Sequence, residues 1–296
     1  MEDIRSLLFV PGDSERKIAK AQSSAADALI LDLEDSVVPE KRAAARELCL
    51  ATLQASGSKK LFVRINAIET PDALLDLAAV VRGRPYGIVL PKCSSARDIH
   101  VLDRYLSALE TRDGVVPGAT KVLPIMTETG ASLFGAGSYR ETTPRLAGLM
   151  WGGEDLAADI GARTNRDAEG RYGPAYALAR TLCLLAATAA RATAVDAVYT
   201  DFRNPAGLRS EAEAAAREGF TAKAAIHPDQ VAIINEVFTP GAAEIAHARR
   251  VVELFEGGEA RSVVALDGKM LDRPHLTMAK RLLGRAAAGR QGGNDA

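Results

Sequence analysis

Acidic residues recur in this chain directly after short apolar runs. Leu149-Met150-Trp151 leads through Gly152-Gly153 to Glu154 and Asp155. Asp32, Glu34 and Asp35 close 28-ALILDLED-35, Thr127-Glu128-Thr129 follows 121-KVLPIM-126, and Asp201 closes 196-DAVYTD-201. Arg64 stands inside 61-LFVRIN-66, Lys92 follows 87-GIVLP-91, and His227 follows 223-KAAI-226. If these runs are strands ending on one rim, the acids repel one another unless a proton or a cation sits among them. A hard divalent ion answers that need, and Mg²⁺ takes only one or two protein carboxylates, leaving positions for water and substrate. An arginine facing the inside of a barrel is costly without an anion, which makes Arg64 a candidate carboxylate binder. Plainer readings stand beside these. Glu154 and Asp155 suit the start of a helix, where acids cap amides and complement the dipole. Glu128 could be a turn acid. Asp32, Glu34 and Asp35 could be caps and supporting groups, a role favoured for Asp32, and His227 is best read as satisfying backbone groups.

The elements that would position these residues alternate along the chain. Apolar runs at 7–10, 28–33, 61–65, 87–90, 121–126, 147–151, 196–201 and 223–226 predict eight strands. Helical patterns lie between and after them at 14–24, 39–54, 71–81, 95–110, weakly at 131–137, and at 174–192, 211–220 and 229–238. Pro39, Pro71 and Pro174 fall in first turns, where a missing N–H costs nothing. Nearly continuous hydrophobicity in the strands argues for a parallel sheet covered by helices. Eight such units fit a closed α/β structure, the (β/α)₈ TIM barrel, whose active face lies at the C-terminal strand ends. No Gly-x-Gly-x-x-Gly follows a strand and no Gly-Lys-Ser/Thr occurs, which weakens a nucleotide-binding reading. The barrel is expected over 1–240 and a C-terminal helical lid over 241–288, with 289–296 a disordered tail. The piece after the barrel is small for an independent core. Its apolar Val251, Val252, Leu254 and Phe255 therefore call for a covering surface on the barrel or a neighbouring subunit.

The 296 residues carry 37 basic and 38 acidic side chains, a formal net charge of -1. That mixture has no signature of nucleic-acid or polybasic membrane partners. Cys49, Cys93 and Cys183 are far apart without metal-type spacing; Cys49 and Cys183, in helical apolar settings, read as buried free thiols, which fits a reducing cytoplasm. No secretory signal precedes the first strand, and the most apolar helical stretch, 182–190, is far short of a bilayer span.

In this order the motifs resemble the citrate lyase β-subunit-like family, within the HpcH/HpaI aldolase group of the phosphoenolpyruvate-dependent barrel superfamily. The resemblance rests on 8-LFVPGDSERKIAKA-21, 27-DALILDLEDSV-37, 62-FVRIN-66, 90-LPK-92, 127-TETG-130, 152-GGEDLAADIG-161, 222-AKAAIHPDQV-231 and 266-LDGKMLDRP-274. It implies a Mg²⁺-dependent carbon–carbon lyase of 3-hydroxyacyl-CoA thioesters such as citryl-, malyl- or citramalyl-CoA. Its partners would be a CoA thioester and a small oxo acid, and the assembly a homo-oligomer, trimer or hexamer. The resemblance makes Glu128 and Asp155 the metal ligands and Arg64 the holder of the substrate carboxylate. It adds Gly153 to the substrate-binding set and makes Glu34 and Asp35 nearby outer acids. Asp272 matches a lid aspartate that reaches a neighbouring subunit's site in malyl-CoA-lyase-like relatives; its plainer role is capping the helix that follows. A citrate lyase β subunit within a larger complex, an aldolase of free 2-oxo acids and a non-catalytic CoA-binding protein remain as alternatives.

Overall fold

The computed structural model describes residues 1, 3–55, 57, 59–257 and 262–291. The chain divides into two compact units, one of Met1 and residues 3–235, the other starting at Glu236.

In the first unit eight parallel strands form one sheet: β1 (Ser6–Pro11), β2 (Ala28–Asp32), β3 (Lys60–Arg64), β4 (Gly87–Leu90), β5 (Lys121–Pro124), β6 (Gly148–Met150), β7 (Thr193–Asp196) and β8 (Ala222–Ala225). The strand order β5-β4-β3-β2-β1-β8-β7-β6 leaves β5 and β6 at the two ends. Those ends meet through the parallel bridges Val122↔Leu146 and Ile125↔Met150, with Met126 N–H donating to Met150 O at 2.9 Å. The sheet thus closes into the (β/α)₈ barrel that the alternation predicts. Strand side chains are buried toward both sides, as a sheet wrapped by helices requires. Ile4, Leu7, Ile30, Phe62, Val89, Leu123, Met150 and Val195 belong to one continuous buried cluster.

The covering helices are α1 (Glu15–Gln22), α2 (Arg42–Ala55), α3 (Pro71–Val80), α4 (Ala96–Arg112), the short α5 (Gly130–Phe134) and α6 (Glu154–Asp159), α7 (Pro174–Ala190), α8 (Pro205–Glu218) and α9 (Pro228–Phe238). Two elements differ from the sequence expectation. Strand β7 ends at Asp196, where the expected strand began, because Asp196 is already the last residue paired with β8 and its carboxylate is bonded inward. Helix α8 starts six residues before the expected Glu211, because Asn204 Oδ1 accepts the Gly207 N–H at 2.8 Å and Pro205 occupies the first turn. Both are ordinary helix-start devices. Among the described residues no helix is long and apolar enough to cross a membrane.

The second unit contains α10 (Ala242–Glu256), an antiparallel hairpin of β9 (Val263–Leu266) and β10 (Lys269–Asp272), and α11 (Arg273–Gln291). Asp267 and Gly268 both have positive φ, 49° and 75°, the requirement of a two-residue I′ hairpin turn. The helical lid expected over 241–288 did not include this hairpin, although Asp-Gly between apolar runs signals the turn. Alternation in the hairpin buries Val264, Leu266 and Leu271 against Ala248, Val251, Phe255 and Ala279. This corrects an expectation: Val251, Val252 and Phe255 find their cover inside their own unit, which has a small core of its own. Leu254 remains 37% exposed. Helix α11 continues through Gln291, and residues 292–296 of the expected tail lie outside the described residues.

Candidate active site

Asp32 and Arg64 are Cα partners across β2 and β3. That register sets their side chains together at the strand ends. Arg64 Nε and Nη2 donate to Asp32 Oδ1 and Oδ2, both at 2.7 Å. The same carboxylate accepts the Glu34 N–H at 3.0 Å and the Ser36 N–H at 3.3 Å. Burial alone would raise Asp32, but Arg64 outweighs it and holds the carboxyl below its usual range. The planar fork that sequence reading reserved for a substrate is therefore engaged by the protein's own acid. A barrel-facing arginine does need an anion, and Asp32 is that anion. Nη1 is the remaining corner, 3.0 Å from Glu34 Oε2 and 3.6 Å from Asp35 Oδ2.

Lys92 follows β4 with φ of 51°, in the left-handed region. A lysine is held there only when its surroundings determine it, and such outliers gather at functional sites. Its backbone N–H donates to Glu128 Oε2, and its ammonium donates to Glu34 Oε1. The ammonium also lies 3.8 Å from Asp35 and 4.0 Å from Asp155. Glu34 nevertheless sits above the usual carboxylate range, first because it is buried and despite Arg64 and Lys92.

Glu128 lies four residues beyond the end of β5 and Asp155 in the first turn of α6, and both line the same cavity, where Asp155 makes the Glu128 carboxyl harder to ionise. The Thr127 hydroxyl fixes the two chain segments by accepting the Gly152 N–H at 3.0 Å and donating to Gly152 O at 3.2 Å. Asp159, on α6, accepts the Gly130 N–H at 2.7 Å and so ties α6 to the start of α5. Gly152 is required for space, since a Cβ there would lie 3.0 Å from Glu128 Cγ. Gly153 caps α6 and lines the cavity beside the Trp151 ring. Glu154 accepts from Asn165 Nδ2 at 2.8 Å, a supporting contact that suits its reading as a helix-start acid.

Glu128 is only 3% exposed. Burial foremost pushes its carboxyl well up, with Asp155 and Glu34 adding to the effect and the Lys92 amide opposing it. Two neighbouring carboxyls of which one resists ionisation call for a proton or a cation. The donor set fits a hard divalent ion that keeps most of its sites for water and substrate. Among the described residues no group of three or more His, Cys, Asp or Glu is placed to hold a metal, so the fit is to an ion content with two protein carboxylates.

These residues line a cavity of about 430 Å³. Asp32, Asp35, Arg64, Glu128 and Asp155 form its polar wall, while Phe9, Ile125, Met150, Trp151, Val198 and Ile226 contribute apolar surface. Trp151 is held by its indole N–H, which donates to Asp196 Oδ1 at 2.7 Å, and by the edge of Tyr172 at 4.9 Å between centroids. His227 Nδ1 accepts the Asp229 N–H at 3.3 Å, the backbone role expected of it. Asp201, read as a rim acid, lines a separate cavity with Phe202, Arg203 and His227, because β7 ends five residues earlier.

Asp272 belongs to the second unit, at the end of β10. Its Oδ1 lies 2.6 Å from His275 Nδ1, and both side chains are exposed. Sequence reasoning assigned no role to Lys92 or to His275. The signal for Lys92 was its place at a strand end; that for His275 was its spacing three residues after Asp272 across a helix start.

The chain matches the HpcH/HpaI aldolase/citrate lyase family over residues 5–228. It is 38% identical over 290 residues to a (3S)-malyl-CoA thioesterase of Cereibacter sphaeroides, covering 96% of this chain and 95% of that protein. It is 35% identical over 286 residues to the citrate lyase subunit beta of Escherichia coli, covering 95% and 93% respectively. Among solved structures, the protein CitE from Mycobacterium tuberculosis in complex with magnesium, acetoacetate and coenzyme A shares 33% identity at a TM-score of 0.80, covering 97% of this chain and all of that one. The citrate lyase beta subunit of M. tuberculosis complexed with oxaloacetate and magnesium aligns at 0.70 and 33% identity, covering 81% of this chain and 99% of that one. A rim of strand-end carboxylates on a closed barrel, matched along nearly the whole chain, makes this protein a member of the HpcH/HpaI aldolase/citrate lyase family.

Proposed function

We propose that this protein is a Mg²⁺-dependent carbon–carbon lyase that splits, or in reverse forms, a 3-hydroxyacyl-CoA thioester such as citryl-, malyl- or citramalyl-CoA. The observation that carries the reading is the pair of carboxyls, buried Glu128 and half-buried Asp155, that line one cavity together with Arg64. Relatives crystallised with magnesium together with oxo acids or coenzyme A support the ligand classes. Glu128 and Asp155 would hold the ion. When bound, Mg²⁺ would supply positive charge at the hydroxyl and carboxylate oxygens of the oxo-acid half.

The chain's own groups do the rest. Nη1 of Arg64 offers one hydrogen bond to the substrate carboxylate while Asp32 fixes the guanidinium plane. Asp35 at the polar wall, with Glu34 bonded to Lys92 beside it, would order water and the hydroxyl proton. In cleavage the hydroxyl loses its proton, the Cα–Cβ bond breaks, and its electron pair enters the thioester enolate. That enolate takes a proton at Cα, giving the acyl-CoA and the oxo acid. Asp272, carried by the hairpin of a second copy in a homo-oligomer, is the group we assign to that proton transfer, with His275 orienting it.

A second reading, hydrolysis of malyl-CoA, is favoured by the identity to relatives named as malyl-CoA thioesterases. One assay separates the two. Purified protein with Mg²⁺ is offered citryl-, malyl-, methylmalyl- and citramalyl-CoA, and products are followed by mass. Acyl-CoA plus oxo acid supports the lyase. Free CoA thiol plus an intact hydroxy diacid or triacid supports hydrolysis, and no turnover of any of the four defeats both.

A further inference from the structure

At and beside the polar wall, five carboxylates, Asp32, Glu34, Asp35, Glu128 and Asp155, surround two cations, Arg64 and Lys92. With all five ionised, a divalent ion leaves the group still negative by one charge. An oxo acid, itself an anion, must enter against that balance. Arg64 has little to give, since two of its nitrogens are engaged by Asp32. Lys92 differs. Its ammonium donates to Glu34 and also stands 3.8 Å from Asp35 and 4.0 Å from Asp155. Its backbone N–H meanwhile donates to Glu128, so one residue hydrogen-bonds one candidate ligand and sets its charge 4.0 Å from the other.

We infer that Lys92 is a positioning residue whose amide aims Glu128 and whose ammonium sets the rim's charge so that a divalent cation and an anionic substrate are held together. The inference rests on the reading above that Glu128 and Asp155 hold the cation. Its two functions are separable, because a side-chain substitution removes the ammonium and leaves the amide. Lys92→Met keeps the length of the side chain and the N–H to Glu128. The acid group becomes more negative by one charge, which attracts a bare cation and repels an anion. The two ligands should therefore respond with opposite signs. A lysine that only braced the fold would weaken both.

Isothermal titration of Mg²⁺ into the full-length protein, followed by titration of pyruvate and of oxaloacetate into the Mg²⁺-saturated protein, reads the two signs apart. Trp151, the single tryptophan of the chain, lines the cavity and gives an independent fluorescence readout of each ligand. In Lys92→Met, Mg²⁺ should bind roughly tenfold tighter and the oxo acids roughly tenfold weaker, the scale of losing one unit charge at about 4 Å in a partly wet site. Lys92→Arg should restore both affinities. Lys92→Gln, neutral but polar, should show the same opposed pair of signs and stands in if Lys92→Met does not fold. Weakening of both ligands in the neutral variants, or no change in either, overturns the inference. Failure of the wild-type protein to bind Mg²⁺ at all overturns the reading of Glu128 and Asp155, and the inference with it.

Discussion

Two charged clusters lie within one barrel and obey different rules. Beyond the Trp151 side of the cavity, Asp196, Glu211 and Glu218 meet Arg166, Arg180 and Lys223, acid for base. Lys223 Nζ donates to Asp196 at 2.7 Å, to Glu211 at 2.9 Å and to Ala197 O at 2.8 Å. Arg166 pairs with Glu211 at 2.6 Å, and Arg180 with Asp196 at 3.1 Å and also with Glu218. Lys223 is fully buried, so this network stands only because every charge is answered. At the rim Asp32, Glu34, Arg64 and Glu128 are buried as well, but five acids stand to two bases, and Glu128 is pushed well above its ordinary value. Burial therefore does not distinguish scaffold from site here. Charge balance does: the balanced network supports the wall, and the unbalanced one is built to receive something.

Opposite responses to losing one charge would test that contrast. Lys223→Met leaves three acids to two arginines, with Asp196 and Glu211 deprived of their shared buried ammonium, and should cost about 3–5 kcal/mol of stability, the usual result of breaking a buried pair from one side. Denaturant unfolding measures it, and a loss below about 1 kcal/mol would place the network among weak surface-like pairs. Glu128→Gln removes one of the two carboxyls proposed to share the cation. Turnover should fall by roughly 10²-fold or more, while stability without divalent ions stays level or rises, because a repulsion has gone. A clear loss of stability in Glu128→Gln would mean that the rim, too, is scaffold.

The second unit offers a third case, an exposed pair of one acid and one imidazole, Asp272 and His275. As a proton-transfer group Asp272 should matter to rate alone: Asp272→Asn is expected to lower turnover by roughly 10²-fold or more with no change in melting. Mixing Asp272→Asn with Asp155→Asn protomers should regenerate active sites in hybrid oligomers, provided tagged chains demonstrate subunit exchange. Exchange without recovered activity would leave Asp272 acting within its own chain or as a helix cap.

Much of the barrel was legible because its strands are buried on both sides and read as apolar runs, as in 28-ALIL-31 and 87-GIVL-90. Strand β7 was misplaced because 197-AVYT-200 is as β-prone as 193-TAV-195. What chose between them was the inward bonding of Asp196, a contact between distant elements that no local pattern carries. The rim acids were legible by type and by position after strands. Their partners were not, since the pairing of Arg64 with Asp32 depends on the register between β2 and β3. Lys92 was passed over because one lysine after Pro91 looks like any surface lysine until its backbone turns left-handed and aims the amide at Glu128.

Arg64→Lys sharpens the comparison from within the rim. Lysine keeps the charge but lacks the fork that grips both oxygens of Asp32, so the substrate-facing nitrogen loses its fixed direction. The KM for the oxo acid in condensation should rise roughly tenfold, a loss on the scale of one charge-assisted hydrogen bond. Unchanged oxo-acid kinetics would reduce Arg64 to a partner of Asp32.

The gentlest probe is pH, and its sign separates the two clusters. Burial, ahead of their neighbours' charges, raises both Glu128 and Glu34 above the ordinary glutamate value of 4.5. A carboxyl raised in the folded state binds protons there that the unfolded chain does not bind, at any pH between 4.5 and its folded value. Stability without divalent ions should therefore increase as pH falls from neutral through that window, with a slope of up to about 1.4 kcal/mol per pH unit for each proton taken up. In the balanced network Asp196 is buried yet held low by Lys223 and Arg180. Its contribution is full above the ordinary aspartate value and is lost only below it, outside the window. Saturating Mg²⁺ competes for the same oxygens, so the slope should flatten, with the ion stabilising most at the higher pH. Denaturant unfolding at several pH values between 5 and 8, with and without Mg²⁺, reads this directly. Glu128→Gln should lose much of the slope and Lys223→Met should keep it. A slope of the opposite sign in the metal-free wild type, or one that Mg²⁺ does not touch, would show that the rim's excess charge is relieved by something other than a proton or a cation.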